Sequence, residues 1–180
     1  MEAVALSLPE PPATCVRAAV EREVAAIFSQ SHAPLARYLK SVGISSADAE
    51  EVAQDTFMAL FLHLRAGKRR DNLRGWIFRT GRNLALKRRQ ANSREILADP
   101  PPPAAGPEAC PETNAVLAAE RQRLEAVVRA LPGRDRECLL LRAEGLRYRE
   151  IAETLDMSLG AVAASLSKSF SRLSNVSDRP

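Results

Sequence analysis

The chain has 180 residues, enough for one mid-sized domain or two small ones, and its apolar fraction of 46% supports a folded core. Aromatic residues make up only 4%, and Ala, Leu, Arg and Glu dominate, which favours helices over strands. The net charge of +4 is unevenly spread: residues 65–94 hold eleven Lys or Arg against one acid, Asp71, whereas residues 46–64 hold Asp48, Glu50, Glu51 and Asp55 and no Lys or Arg.

A chain divided in this way suits a basic face for a polyanion and a second face for a protein. Nucleic acid is the first choice of polyanion, anionic membrane the second, and a merely solvated helical face the plain alternative. Three cysteines, Cys15, Cys110 and Cys138, are too few and too scattered for a disulfide framework or a zinc site. With only His32 and His63 besides, and no CxxC or HExxH, neither metal nor cofactor is expected. Cys138 sits in an apolar run and reads as a small core residue. Glu2, the lack of an early basic cluster, and Pro9, Pro11 and Pro12 argue against a signal peptide. No apolar run reaches membrane-spanning length, so no membrane insertion and a cytoplasmic location are expected.

Taken in order, Val16, Val20, Val24, Ile27 and Phe28 recur at helical spacing. Pro34 falls where a new helix can begin, carrying Leu35, Tyr38, Leu39 and Val42 up to Gly43. Ser45 and Asp48 form a capping box for a helix from about Ser46, with Ala49, Val52, Ala53, Phe57, Leu60, Phe61 and Leu64 as its apolar stripe. Glu51, Gln54, Asp55 and Met58 are left off that stripe. A last helix of this half starts near Asn72 and buries Leu73, Trp76, Ile77 and Leu84, with Thr80 a further candidate and Trp76 read as core rather than ligand. The segment from Ala98 to Thr113, with Pro100 through Pro103 in succession, cannot continue a helix and reads as a tether.

Beyond it, Val116, Leu117, Leu124, Val127, Val128 and Leu131 mark a helix ended by Pro132-Gly133, and Asp135 caps the next, which carries Cys138 and Leu139 to Leu141. From Tyr148 the pattern fits a helix-turn-helix. Ala152 is small where two helices nearly touch, Ile151 and Leu155 anchor the first helix, and Asp156 tolerates the left-handed turn. Met157 and Val162 seat the second helix. An ordinary helical hairpin is the bland alternative. The expected fold is therefore all-α: two small helical domains, 1–92 and 113–180, joined by a Pro-rich linker over 93–112, the second containing a helix-turn-helix.

Three stretches together resemble a known family. Ala47-Asp48-Ala49-Glu50-Glu51-Val52-Ala53-Gln54-Asp55-Thr56-Phe57 looks like the polymerase-clamp-binding helix of extracytoplasmic-function sigma factors, of the sigma-70 family. Trp76-Ile77-Phe78-Arg79-Thr80-Gly81-Arg82-Asn83-Leu84-Ala85 resembles their promoter-melting helix, and Leu131-Pro132, Gly145 and Tyr148 through Gly160 resemble their upstream-element helix-turn-helix. The resemblance implies a dissociable, non-enzymatic subunit that binds core RNA polymerase, recognises minus-ten and minus-thirty-five elements and promotes melting. It places Asp48, Glu51, Gln54, Asp55 and Met58 against the clamp helices of the largest subunit, and Arg79 and Arg82 on strand phosphates. Asn83 falls in the pocket for a flipped minus-ten base, with Lys87, Arg88, Arg89, Gln90 and Asn92 in an adjoining loop. Arg147, Arg149, Ser158, Ala161, Ser165, Lys168 and Arg172 fall on the upstream DNA. Promoter DNA, the polymerase flap and an anti-sigma factor are the further partners implied.

One departure stands out. The family's recognition helix usually carries several bases, but here Gly160-Ala161-Val162 is followed by Ala163, Ala164 and Ser165, then only Lys168 and Arg172. With few phosphate contacts, weak upstream binding is expected, by shape or through Ser165 and Ser167. A sigma-like adaptor or a free-standing helix-turn-helix regulator is the competing reading, and the acidic helix argues against the regulator.

Overall fold

The computed structural model describes residues 13–95 and 115–177, and their regular structure is entirely helical. The first unit contains α1 (Ala13–Ser41), α2 (Ser46–Arg65) and α3 (Leu73–Glu95). The second contains α4 (Ala115–Ala130), α5 (Gly133–Ala143), α6 (Tyr148–Leu155) and α7 (Leu159–Ser177). The proline tether and the side chains of Val16, Val116 and Leu117 lie outside the described residues.

The sequence suggests a break at Pro34, but α1 runs through it. Proline removes one donor and crowds the carbonyl four residues earlier. Leu35, Tyr38 and Leu39, in the next turn, are all fully buried, and that packing outweighs the local preference. In α2 the expected cap is present: the Ser45 hydroxyl oxygen accepts from the Asp48 backbone N–H at 3.0 Å. The core face is the expected stripe with Thr56 added and Phe61 only partly buried. Thr56 tolerates burial because its hydroxyl donates to the Val52 carbonyl at 2.7 Å.

In α3 the Asn72 side-chain oxygen accepts from the Gly75 N–H at 3.1 Å, closing the first turn as a cap. Ile77, Phe78 and Ala85 are fully buried, while Leu73, Trp76 and Leu84 pack at the edge of the core. Asp135 does not cap α5: Pro132 holds the cap position, and the Asp135 carboxylate accepts instead from the Ser165 hydroxyl on α7 at 2.6 Å. The turn between α6 and α7 has Asp156 in the left-handed region, with φ of 54°. Ile151, Leu155, Val162 and Leu166 close the helix-turn-helix core, with Cys138 buried beneath it. Burial pushes the Cys138 thiol up from its ordinary value, as a core position requires.

The buried apolar residues of the two units form one contiguous cluster, from Val20 to Leu166. Leu60, fully buried in α2, sits in its first-unit part. Leu60→Ala is expected to lower stability by about 2–5 kcal/mol, read as a shift of the urea midpoint with little change in slope.

Candidate nucleic-acid and protein interfaces

Beside the core stripe of α2, an apolar groove of about 580 Å³ runs between α1 and α2, lined among others by Val24, Phe28, Gln54, Phe57, Met58 and Phe61. Met58 is 62% exposed and Phe28 is 39% exposed, more than large apolar side chains of a small domain usually are. Gln54 and Asp55 are exposed on the same helix. This is the shape and chemistry for receiving a helix: an apolar floor with polar flanks.

Of the acidic residues expected on that surface, Asp48 and Glu51 are already engaged. The Arg88 guanidinium donates to Asp48 at 2.9 Å and clasps both oxygens of Glu51. The Ser45 hydroxyl, then the Arg88 guanidinium, hold the Asp48 carboxyl below its ordinary 3.8, and the Asn92 amide adds to this. Arg88 in turn is raised, chiefly by its bonds to Asp48 and Glu51.

The residues expected in a loop after Asn83 lie instead on the last turns of α3, which continues helical to Glu95. They divide by face. Arg79, Asn83, Lys87 and Gln90 recur at helical spacing, are exposed, and carry no hydrogen bond or ion pair among the described residues. Arg88, Arg89 and Asn92 turn back onto the fold, where Arg89 donates to the Val42 carbonyl at 3.1 Å and Asn92 to Asp48 at 3.5 Å. Arg82 is not free either: it pairs with Glu137 of α5 at 2.7 Å, with both side chains mostly covered.

In the second unit Arg147, Arg149, Ala161, Lys168 and Arg172 are exposed, as an outward role requires. Ser158 is structural as well as exposed, since its hydroxyl oxygen accepts from the Ala161 N–H at 3.2 Å and starts α7. The assignment of Ser165 to DNA is corrected: it is only 5% exposed and its hydroxyl is spent on Asp135. Its position four residues before buried Ser169 places it on the inner stripe of α7.

Sequence reasoning missed the contact between the units. Arg37 grips Glu144 with two bonds, at 3.1 and 2.9 Å, and Arg74 donates to the Glu144 carbonyl. Asn72 reaches Glu153 at 3.4 Å. Tyr38 lies beneath, 1% exposed, with no hydrogen-bond partner for its hydroxyl among the described residues. Burial, then the Glu137 carboxylate, push that phenol well above its ordinary value. No local pattern announces such pairs, because the partners lie 55 to 107 positions apart.

Among the described residues no cluster of His, Cys, Asp and Glu could hold a metal ion, and no helix is long and apolar enough to cross a membrane. The architecture is thus that of a helical binding protein with a groove, a basic helix and a helix-turn-helix. The family model described as Sigma-70 region 2 matches residues 27–95, and that described as Sigma-70, region 4 matches residues 121–173. The chain belongs to the sigma-70 family, carrying its regions 2 and 4, and is a non-enzymatic transcription factor that binds RNA polymerase and promoter DNA.

Among solved structures it is similar to the sigma factor RpoE of Bartonella quintana, solved in complex with the anti-sigma factor NepR. There the identity is 19%, the TM-score 0.65, and coverage 88% of this chain and 99% of that one. It is also similar to CnrH, solved in complex with the cytosolic domain of CnrY, at 23% identity and a TM-score of 0.59, covering 92% of this chain and 94% of that one. At these identities the likeness is one of fold. No curated protein sequence matches the chain.

The lowered Asp48 carboxyl makes a pH prediction. A depressed folded-state value stabilises the fold above the ordinary value of 3.8, and that contribution is lost as pH falls through and below it. Thermal melts should therefore show Asp48→Asn less stable than wild type at pH 7, with the gap closing toward pH 3.

Proposed function

We propose that this sigma factor docks on the clamp helices of the polymerase's largest subunit through the α1–α2 groove, and melts the minus-ten element on the outer face of α3. The observation that carries this reading is the free stripe of Arg79, Asn83, Lys87 and Gln90, one helix away from an exposed apolar groove. Asn83 offers both donors and an acceptor for the edge of an unstacked base, and Arg79 and Lys87 hold the flanking phosphates. Opening a base costs a few kcal/mol, within reach of one pocket plus two charge contacts. Gln54, Asp55 and Met58 make the direct polymerase contact; Asp48 and Glu51 support it by anchoring Arg88 and with it the end of α3.

On this reading the first unit is the polymerase and minus-ten domain, its last helix running past the expected boundary at 92 to Glu95; the linker follows to 112, and 113–180 is the upstream-element domain, whose outward bases include Arg147, Arg149, Lys168 and Arg172. The flap and an anti-sigma factor are further partners, the second supported by the solved relative captured with the anti-sigma factor NepR. The site of action is the cytoplasm, where polymerase is.

A second reading, an adaptor with little upstream DNA binding of its own, is favoured by α7. Its exposed positions after Ala161 include Ala163 and Ala164, with only Lys168 and Arg172 as bases. Run-off transcription separates the two. Asn83→Ala should reduce transcripts from a cognate promoter about tenfold while core polymerase is bound as before. Met58→Ala combined with Asp55→Lys should instead weaken core binding by at least about tenfold with unchanged helix content. Full transcription with Asn83→Ala on a duplex promoter overturns the melting assignment.

A further inference from the structure

Arg88 ties the helix of the groove to the helix of the basic stripe, and the tie is open to competition from both sides. Asp48, Glu51, Asp55 and Met58 recur at helical spacing along α2, which places them in one row. A partner lying along that row meets both carboxylates that Arg88 holds. Arg88 donates to Asp48 at 2.9 Å and clasps Glu51. Glu51, whose side chain is 54% exposed, has no other partner among the described residues. Asp48 keeps the Ser45 hydroxyl, at 2.7 Å, if Arg88 leaves. The Arg88 side chain is itself 39% exposed, so water reaches the contact and screens it.

On the other side, Arg88 directly follows Lys87, about 100° round α3 from the free stripe. Its long stem lets the guanidinium swing toward that stripe with the backbone in place. Arg89, bonded to the Val42 carbonyl at 3.1 Å, still holds the end of the helix. A carboxylate and a phosphate accept the same guanidinium fork.

We propose that Arg88 is exchanged during assembly: a basic surface of the docked polymerase takes over Asp48 and Glu51, and the freed guanidinium passes to a phosphate of the separated strand. The inference rests on the docking and strand-holding readings of α2 and α3. The exchange replaces one exposed charge contact with two, and the second also releases counterions from the nucleic acid. Docking thereby adds one cation to the strand face. By linkage, the strand strengthens docking by the same factor.

Full-length protein and a fluorescent thymidine oligonucleotide of about twelve nucleotides test the exchange without polymerase. Asp48→Asn combined with Glu51→Gln releases Arg88 and should tighten oligonucleotide binding roughly three- to tenfold. The slope of log affinity against log salt should steepen by about 0.7, the share of one single-strand phosphate. Arg88→Gln alone should change the wild-type affinity by less than about twofold, because the guanidinium is held on α2. In the double variant the same change should abolish the gain. Simple loss of negative charge would leave that gain intact.

The polymerase arm needs no double variant. Arg88→Gln leaves both carboxylates free, so core polymerase should be bound at least as tightly as by wild type. Run-off transcription from a cognate promoter should nevertheless fall roughly three- to tenfold. Arg88→Lys, which keeps the charge, should recover most of it. An Arg88 that merely braces α3 would weaken core binding and transcription together.

A gain in the double variant that survives Arg88→Gln overturns the proposal, as does an unchanged salt slope or full transcription with Arg88→Gln. Arg79→Ala in the oligonucleotide assay reports on the strand-holding reading by itself, and should lose affinity in wild type and double variant alike. Unchanged affinity there overturns that reading. Lost affinity there, with no gain in the double variant, overturns the exchange alone.

Discussion

The rest of the structure depends on how α3 carries its charge. Eleven bases fall between Arg65 and Arg94, on this helix or just before it, against the one acid Asp71. Like charges at helical spacing repel, so the helix cannot be held by propensity alone. It is held by its inner stripe, Ile77, Phe78 and Ala85, which are fully buried, and by carboxylates brought in from other elements. Glu23 of α1 meets Arg70, Asp48 and Glu51 of α2 meet Arg88, and Glu137 of α5 meets Arg82. Solvent screens the exposed pairs, so each contributes little, while each buried large apolar side chain contributes about 1.5–3 kcal/mol. Burial therefore decides that α3 forms; the carboxylates decide which of its cations stay free for a partner.

That division couples the two faces of the first unit. Asp48 and Glu51 lie on the helix that borders the groove, yet their oxygens are engaged by Arg88 of α3. A charge placed at either residue disturbs both faces at once, and the effects of changes in this triad will not add. Gln54, Asp55 and Met58 have no such ties among the described residues, which makes them the cleaner reporters of what the groove does.

Local features were the legible ones. The Ser45 cap, the apolar stripe of α2, the Asn72 cap and the anchors of the helix-turn-helix all rest on residues within a turn or two of one another, where spacing dictates contact. The errors came where distant packing outvoted local preference. Pro34 sits inside a helix because its neighbours are buried against the rest of the first unit; Asp135, well placed to cap α5, is turned toward α7 by Ser165. The family resemblance implies a loop for Lys87 to Asn92, but these residues continue α3. They stay helical because Arg88, Arg89 and Asn92 are tied down by acceptors some forty positions earlier. Phe78 was unassigned for the related reason that its burial depends on Tyr38 of α1, whose ring lies 5.6 Å away.

The second unit answers to the same electrostatics from the opposite side. Its recognition helix is rich in serine, but Ser169, Ser171 and Ser174 donate to carbonyls four residues back, so those hydroxyls are satisfied within the helix. What α7 offers to a duplex is Ala161, Ala163 and Ala164 with two bases, Lys168 and Arg172. Few phosphates can be neutralised by two bases, and affinity for DNA scales with that number. The carboxylates of α6 and its turn, Glu153 and Asp156, lie beside the same motif and repel a phosphate backbone at short range. Those charges are unfavourable next to DNA and favourable next to α3, whose arginines they face across the contact. The distribution of charge in the second unit thus suits contact with the arginines of the first unit better than contact with a phosphate backbone.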